Sequence, residues 1–353
     1  MRKLALFMGS LAITLAAGAG SSSAVPFNVV FVDGYAGFDS ATCGAAPQTP
    51  GTTAPCATLN QALQNSSPGG SIVVVRGNAF GPIYLTGSIS IQGPEDRSLQ
   101  IINSGAAPGC IGAAPGTCAA STTAAVEINA ASTDQIKLKN LLASAGSSGS
   151  AAILIDAAGG VTMSAVTGRG GTSTGTGAIV TATPSAGSLQ LYIHNCDIAF
   201  SKTMGDVLLQ PSGSANASVE FSGGELHHAV YGLQINSNAT TGSLAGAFDT
   251  TQFFAFNNSA VSVSATGSGV AHVVFSRSTI VNTGGAALKV NGANALAEVY
   301  EDVFTGDGAG VNIVGGAQVI GFGNSAIFGN GVNCEVGGVP TACSTAITSQ
   351  PMN

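Results

Sequence analysis

The chain has 353 residues, 45% of them hydrophobic and only 8% charged, with 50 glycines and a formal net charge of −7. Ten basic residues against seventeen acidic ones exclude a phosphate-tracking, nucleic-acid-binding surface. An apolar fraction this high and this periodic excludes an intrinsically disordered chain.

Residues 1–24 read as a signal peptide: a basic start at Arg2 and Lys3, an apolar run from Leu4 to Ala17, and small residues Ser22, Ser23 and Ala24 before a mature start at Val25. Its removal leaves eight basic and seventeen acidic residues, 8 − 17 = −9. No later segment is a continuous apolar run of bilayer length. The expected address is secreted, periplasmic or cell-surface, with no membrane span.

Residues 25–70 form an N-terminal strand, loop and cap. Val25 to Val32 is a strand and Asp33 to Pro55 a loop. Thr58 to Asn65 is a short helix with Thr58 as N-cap, ended by Pro68-Gly69-Gly70. Short β-rich runs follow at Ile72–Val75, Ile83–Leu85, Ile89–Ile91 and Leu99–Ile102. An Ala/Pro/Gly-rich insertion covers 104–124. Strands resume at Val126–Ile128 and Ile136–Leu138, and Ser144–Ser150 and Gly168–Gly177 read as turns between coils.

From Leu138 a unit recurs. One large apolar residue per unit falls at Leu138, Met163, Ile193, Phe221, Phe248, Phe275, Val299 and Phe322, in steps of 23 to 30 residues. Five positions after six of these anchors stand Ile198, Leu226, Phe253, Ile280, Phe304 and Ile327. Apolar pairs at alternate positions follow: Val207/Leu209, Leu233/Ile235, Val261/Val263, Leu288/Val290 and Val311/Ile313. A fixed period of short strands without helices marks a solenoid rather than crossover-helix units. The expected fold is all-β: a right-handed parallel β-helix over 25–329, about three strands per coil, with the short helix closing its N-terminal end. Residues 330–353 lack the repeat and read as a C-terminal cap and tail.

Seven cysteines make three close pairs in loop sequence: Cys43 with Cys56, Cys110 with Cys118, and Cys334 with Cys343. An exported chain permits disulfides. Cys196 is left over, three positions past an anchor where other units carry Gly224, Thr251, Ser278 and Ser325, so it reads as a buried structural thiol.

The block Ala54-Pro-Cys-Ala-Thr-Leu-Asn-Gln-Ala-Leu63, then Gly69 to Val75, then Phe80 to Ile91 resembles exported bacterial right-handed β-helix proteins of the pectin-lyase-like superfamily, in a group mostly of unassigned function. The resemblance implies the fold. It leaves the activity open, because that fold hosts lyases, hydrolases, esterases, adhesins and non-enzymes. Its lyases would need an acidic calcium cluster with a basic residue, and its hydrolases Asn-Thr-Asp, Asp-Asp, Gly-His-Gly and Arg-Ile-Lys motifs. None of these four motifs is present, and Arg76, Arg97, Arg169 and Arg277 are scattered without an acidic cluster in their own units.

One acidic pair stands out. Asp197 and Glu225 each lie four positions past an anchor, so stacked coils bring them about 5 Å apart, near the spacing of a retaining glycosidase. His227 and His228 follow. Two carboxylates so placed push one pKa up, and with His228 they offer a divalent cation a weak, oxygen-poor site. No cofactor is expected beyond that. Asp302, in the small inward position, is expected to be satisfied by local backbone bonds. The chain carries no Trp and five Tyr, so an aromatic stripe for tight sugar stacking is missing. The expectation is an exported structural or surface-interaction protein whose partner is a polysaccharide or cell-surface macromolecule. The alternative is a divergent polysaccharide lyase or glycoside hydrolase with Asp197 and Glu225 as catalytic acids.

Overall fold

The computed structural model describes residues 27–45, 54–106, 108–111, 123–147, 149–170, 178–202 and 205–350. The expected signal peptide and Cys118 lie outside these residues.

The chain winds as a parallel β-solenoid, and three ladders of stacked strands run along it. The first holds the anchors. Val30, Ile72, Ile91, Leu138, Met163, Ile193, Phe221, Phe248, Phe275 and Val299 pair in one continuous register. The second stacks Ile198, Leu226, Phe253, Ile280, Phe304 and Ile327. The third stacks the alternating pairs from Val207/Leu209 to Val311/Ile313. All three columns point inward, and the five largest fully buried side chains are Phe221, Phe248, Phe253, Phe275 and Phe304. Parallel stacking sets equal positions about 4.8 Å apart, which is also a ring-stacking distance. Phe248 and Phe275 accordingly stack with centroids 4.9 Å apart and planes 19° from parallel.

The last anchor departs from expectation. Gly321, not Phe322, pairs with Val299, and Phe322 is only half-buried. The reason is the C-terminal closure. Thr348–Ser349 pairs onto Ile320 and Gly321, and a Cβ on Gly321 would meet Ile347 at 2.9 Å. The inward place at the end of the column belongs to Ile347.

Two corners per coil are turned by left-handed residues. Two positions past each anchor lie Asn140, Ala165, Asn195, Gly223, Thr250, Arg277 and Glu301, all with φ between 50° and 65°. Seven positions past lie Phe200, His228, Ala255, Asn282 and Gly306, with φ between 56° and 72°. Glycine and asparagine take this conformation at little cost; the others must be held there by their surroundings.

At the N-terminal end the helix Leu59–Asn65 buries Leu59, Ala62 and Leu63 against the first coil, and Thr58 Oγ1 accepts the Gln61 N–H at 3.1 Å. The strand Ser66–Arg76 begins directly after it, pairing Ser66 with Phe27, so Pro68-Gly69-Gly70 lies inside a strand and does not end the helix. Cys43–Cys56 and Cys334–Cys343 are disulfides, and Cys196 is free and buried. The third-ladder pairing continues past Gly329 through Val332–Val336, before a short antiparallel return at Val339–Pro340.

Candidate functional site

Asp197 and Glu225 do pair in register on the second ladder, facing away from the inward Ile198 and Leu226. They do not form an isolated carboxylate pair. Gly168 and Arg169, expected to begin a turn, instead belong to the strand Thr167–Arg169, which pairs with Asp197–Ala199. That register brings Arg169 beside Asp197 in a two-pronged ion pair: Nη1 donates to Oδ1 at 2.9 Å and Nη2 to Oδ2 at 2.6 Å. On the opposite side His227 Nε2 lies 3.1 Å from Asp197 Oδ1. The bonds from Arg169 lead the causes that hold the Asp197 carboxyl below its ordinary range, against partial burial. The expected upward shift is therefore reversed at Asp197, because a cation rather than a second anion is its nearest partner.

The arginines are likewise less scattered than their sequence positions suggest. Arg76 pairs with Asp33 and Arg277 with Asp249, each from a neighbouring coil.

His227 and His228 extend the cluster. His227 stacks on Phe254 of the next coil at 4.6 Å, and the exposed His228 stacks on Phe200 of the previous one at 5.3 Å. Their Nδ1 atoms are 2.7 Å apart. The Arg169 guanidinium lies 5.7 Å from the Phe200 ring centre. Burial lowers the His227 pKa, and the bond to Asp197 works against it. Behind the strand, Asp206 is fully buried with neither carboxylate oxygen closing a hydrogen bond. Burial raises its pKa well above the ordinary value, although backbone groups of His227 and Ser201 lie close enough to oppose the shift.

Asp197, Glu225 and His228 thus share two coils but do not converge as a ligand set. Asp197 is spent on Arg169 and His227, and His228 on His227 and Phe200. Among the described residues the one compact group of three metal-type ligands is Asp39, Cys43 and Cys56. Its sulfurs are joined to each other, and Asp39 accepts the Ala57 and Thr58 N–H groups. Cys196 offers no nucleophile: burial pushes its thiol up to about 11. Asp302 is satisfied as expected, accepting N–H groups from Ser278 at 2.8 Å and Tyr300 at 2.9 Å.

The same two long strands, Ser188–Ala199 and Asn216–His227, also cross the first ladder, where they form one wall of a shallow groove. Its volume is about 240 Å³. Tyr192 and Glu220 stand on one side, Ala245 and Ala247 form a low floor, and His272 and Val274 close the other side. His272 Nε2 is held by Glu298 at 2.9 Å. Because the sequence lacks an aromatic stripe, it offered no aromatic hint of this groove. The signal available was the small-residue pair Ala245 and Ala247 between units carrying Glu220 and Val274 at the same position.

No known family model, curated protein or solved structure matches the chain, so the chemistry is read from the residues alone.

Proposed function

We propose that the chain is an exported parallel β-helix that binds a polysaccharide across the outward face of its first ladder, without cleaving it. The observation that carries this reading is the groove over Ala245 and Ala247. Four successive coils build it, so a polymer crossing the coils meets a low floor between Tyr192 and Glu220 on one side and His272 on the other. A tyrosine ring offers a pyranose face an apolar surface, and a carboxylate and an imidazole serve its hydroxyls. Glu220 and Glu298 beside the groove, with the net charge of −7, favour a neutral glycan over a polyanionic one. Export rests on the signal-peptide reading of residues 1–24 and agrees with the disulfides Cys43–Cys56 and Cys334–Cys343. The resemblance to pectin-lyase-like β-helix proteins points to the same class of partner.

The runner-up is a divergent lyase or hydrolase, favoured by the basic Arg169 against Asp197. A panel of neutral and acidic polysaccharides titrated calorimetrically separates the two. Binding of a neutral glycan, weakened about tenfold by Tyr192→Ala with no oligosaccharide released, supports the binding reading. Release of unsaturated or reducing oligosaccharides, abolished by Asp197→Ala or Glu225→Ala, overturns it in favour of the enzyme.

A further inference from the structure

The cluster at the second corner of the same two coils has a property independent of the groove. The Asp197 carboxylate only accepts hydrogen bonds, so His227 Nε2 carries the hydrogen between them. Neutral His227 then has a lone pair at Nδ1, and the 2.7 Å contact is donated by His228 Nδ1–H. The ring centres are 4.9 Å apart, nearly the nitrogen gap plus the two ring radii. Both nitrogens therefore lie on the line joining the rings, which is the geometry of one shared hydrogen and not of two lone pairs converging on an ion.

This fixes how the chain responds to acid. A proton taken up by His227 must go onto Nδ1, and two N–H groups then meet head to head. We propose that Asp197, His227 and His228 form an acid-operated latch on the Phe200 corner, closed while His227 is neutral and opened when its Nδ1 is protonated. The backbone favours release once the contact breaks, because His228 sits at φ 57° in a column where later coils carry Asn282 and Gly306. Opening separates His228 from the face of Phe200 and from its edge contact with Phe254.

The groups facing the imidazoles do not substitute for the latch. Asp197 is held ionised by Arg169 to well below the histidine range. Arg169 stays charged. Burial raises the Asp206 carboxyl, behind the backbone, well above its ordinary value. Glu225, two positions earlier on the same side of the strand, makes no bond to either ring.

The test is nitrogen-resolved NMR of the imidazoles with amide hydrogen exchange on the full chain, at about pH 7.5, 6 and 4.5 and corrected for intrinsic exchange. The Phe200 N–H bonds to His227 O and the His228 N–H to Phe254 O. Both should keep their protection from about pH 7.5 to 6 and lose about tenfold or more by about 4.5. Ala255 and Asn282, at the same corner of the next two coils, should not change. His228→Asn accepts the left-handed backbone without an imidazole and should show no such loss, whereas Glu225→Gln should behave as the wild type. A hydrogen on Nδ1 of His227 at neutral pH, equal loss at all four corners, the same loss in His228→Asn, or its absence in Glu225→Gln overturns the latch.

Discussion

Phe275→Ala tests the stacking that defines the fold. The ring is fully buried, stacked on Phe248 at 4.9 Å, within 6.4 Å of Phe253, and followed by Val299 in the register. Truncating a buried Phe costs about 3–5 kcal/mol through lost transfer energy and the cavity left behind. The lost stack adds about 0.5–1.5 kcal/mol to the burial term, which puts this site near the upper end of that range. The neighbours above and below are tied into ladders and cannot collapse into the hole, so little of the loss is recovered by relaxation. In a solenoid the damage falls on two coil interfaces, 248/275 and 275/299, and the stability of the whole is roughly a sum over such interfaces. Urea unfolding followed by circular dichroism reads the shift in midpoint, with Val270→Ala as control. Val270 is on the same strand and 48% exposed, so its truncation should stay within about 0.5 kcal/mol. A loss below about 1 kcal/mol for Phe275→Ala, or an equal loss in the control, would refute the inward phase of the anchor column.

The corner geometry predicts that Gly224→Ala destabilises the chain by about 2 kcal/mol or more, since Gly224 has φ 88° and its Cβ would lie 2.2 Å from Cys196 O; a neutral melt would contradict the assigned turn. Replacing both Cys43 and Cys56 by Ser should cost about 3 kcal/mol for a closed loop of this length, read as a lower urea midpoint, and the N-terminal cap should lose exchange protection first. Burial lifts Asp302 to about 7 and Asp307 to about 6. The fold then holds protons that the unfolded chain releases near its ordinary carboxylate value, so these two groups make stability fall as pH rises from about 4 to 7. Asp33, Asp197 and Asp249 are shifted down, and their contribution is lost only below about pH 4. Thermal melts should peak between about pH 4 and 6, and Asp302→Asn should flatten the alkaline side at the expense of one backbone bond; a wild-type melt that rises steadily to neutral pH would contradict this.

The fold was legible in the sequence because parallel coils convert a repeat into columns. Leu138 to Val299, Ile198 to Ile327 and the Val/Leu/Ile pairs each became a ladder, and the small position after each anchor correctly placed Cys196. The phase failed where the solenoid ends: nothing in the order of residues 318–322 shows that Ile347 will occupy the place above Gly321. The left-handed corners were half visible. Asn140, Asn195 and Gly223 in one column, and Asn282 and Gly306 in the other, are residues suited to that conformation, but Thr250, Arg277, Phe200 and His228 hide the pattern.

The site was less legible for a related reason. Its partners are one coil apart, so they are separated by 28 to 30 residues and share no local motif. Arg169 was overlooked because it opens a Gly/Thr-rich stretch that reads as a turn, although the repeat step from Met163 to Ile193 carries Arg169 onto Ala199 and so beside Asp197. Counting by coils also brings His227 to the far side of Asp197 and sets Phe254 beneath it. Charge alone suggested two acids in search of a cation. The added register shows an acid already satisfied by an arginine, with its remaining lone pair aligning a histidine pair. In a solenoid, then, chemistry is written across the repeat rather than along it, and Arg169, Asp197 and His227 each find their partner a full coil away.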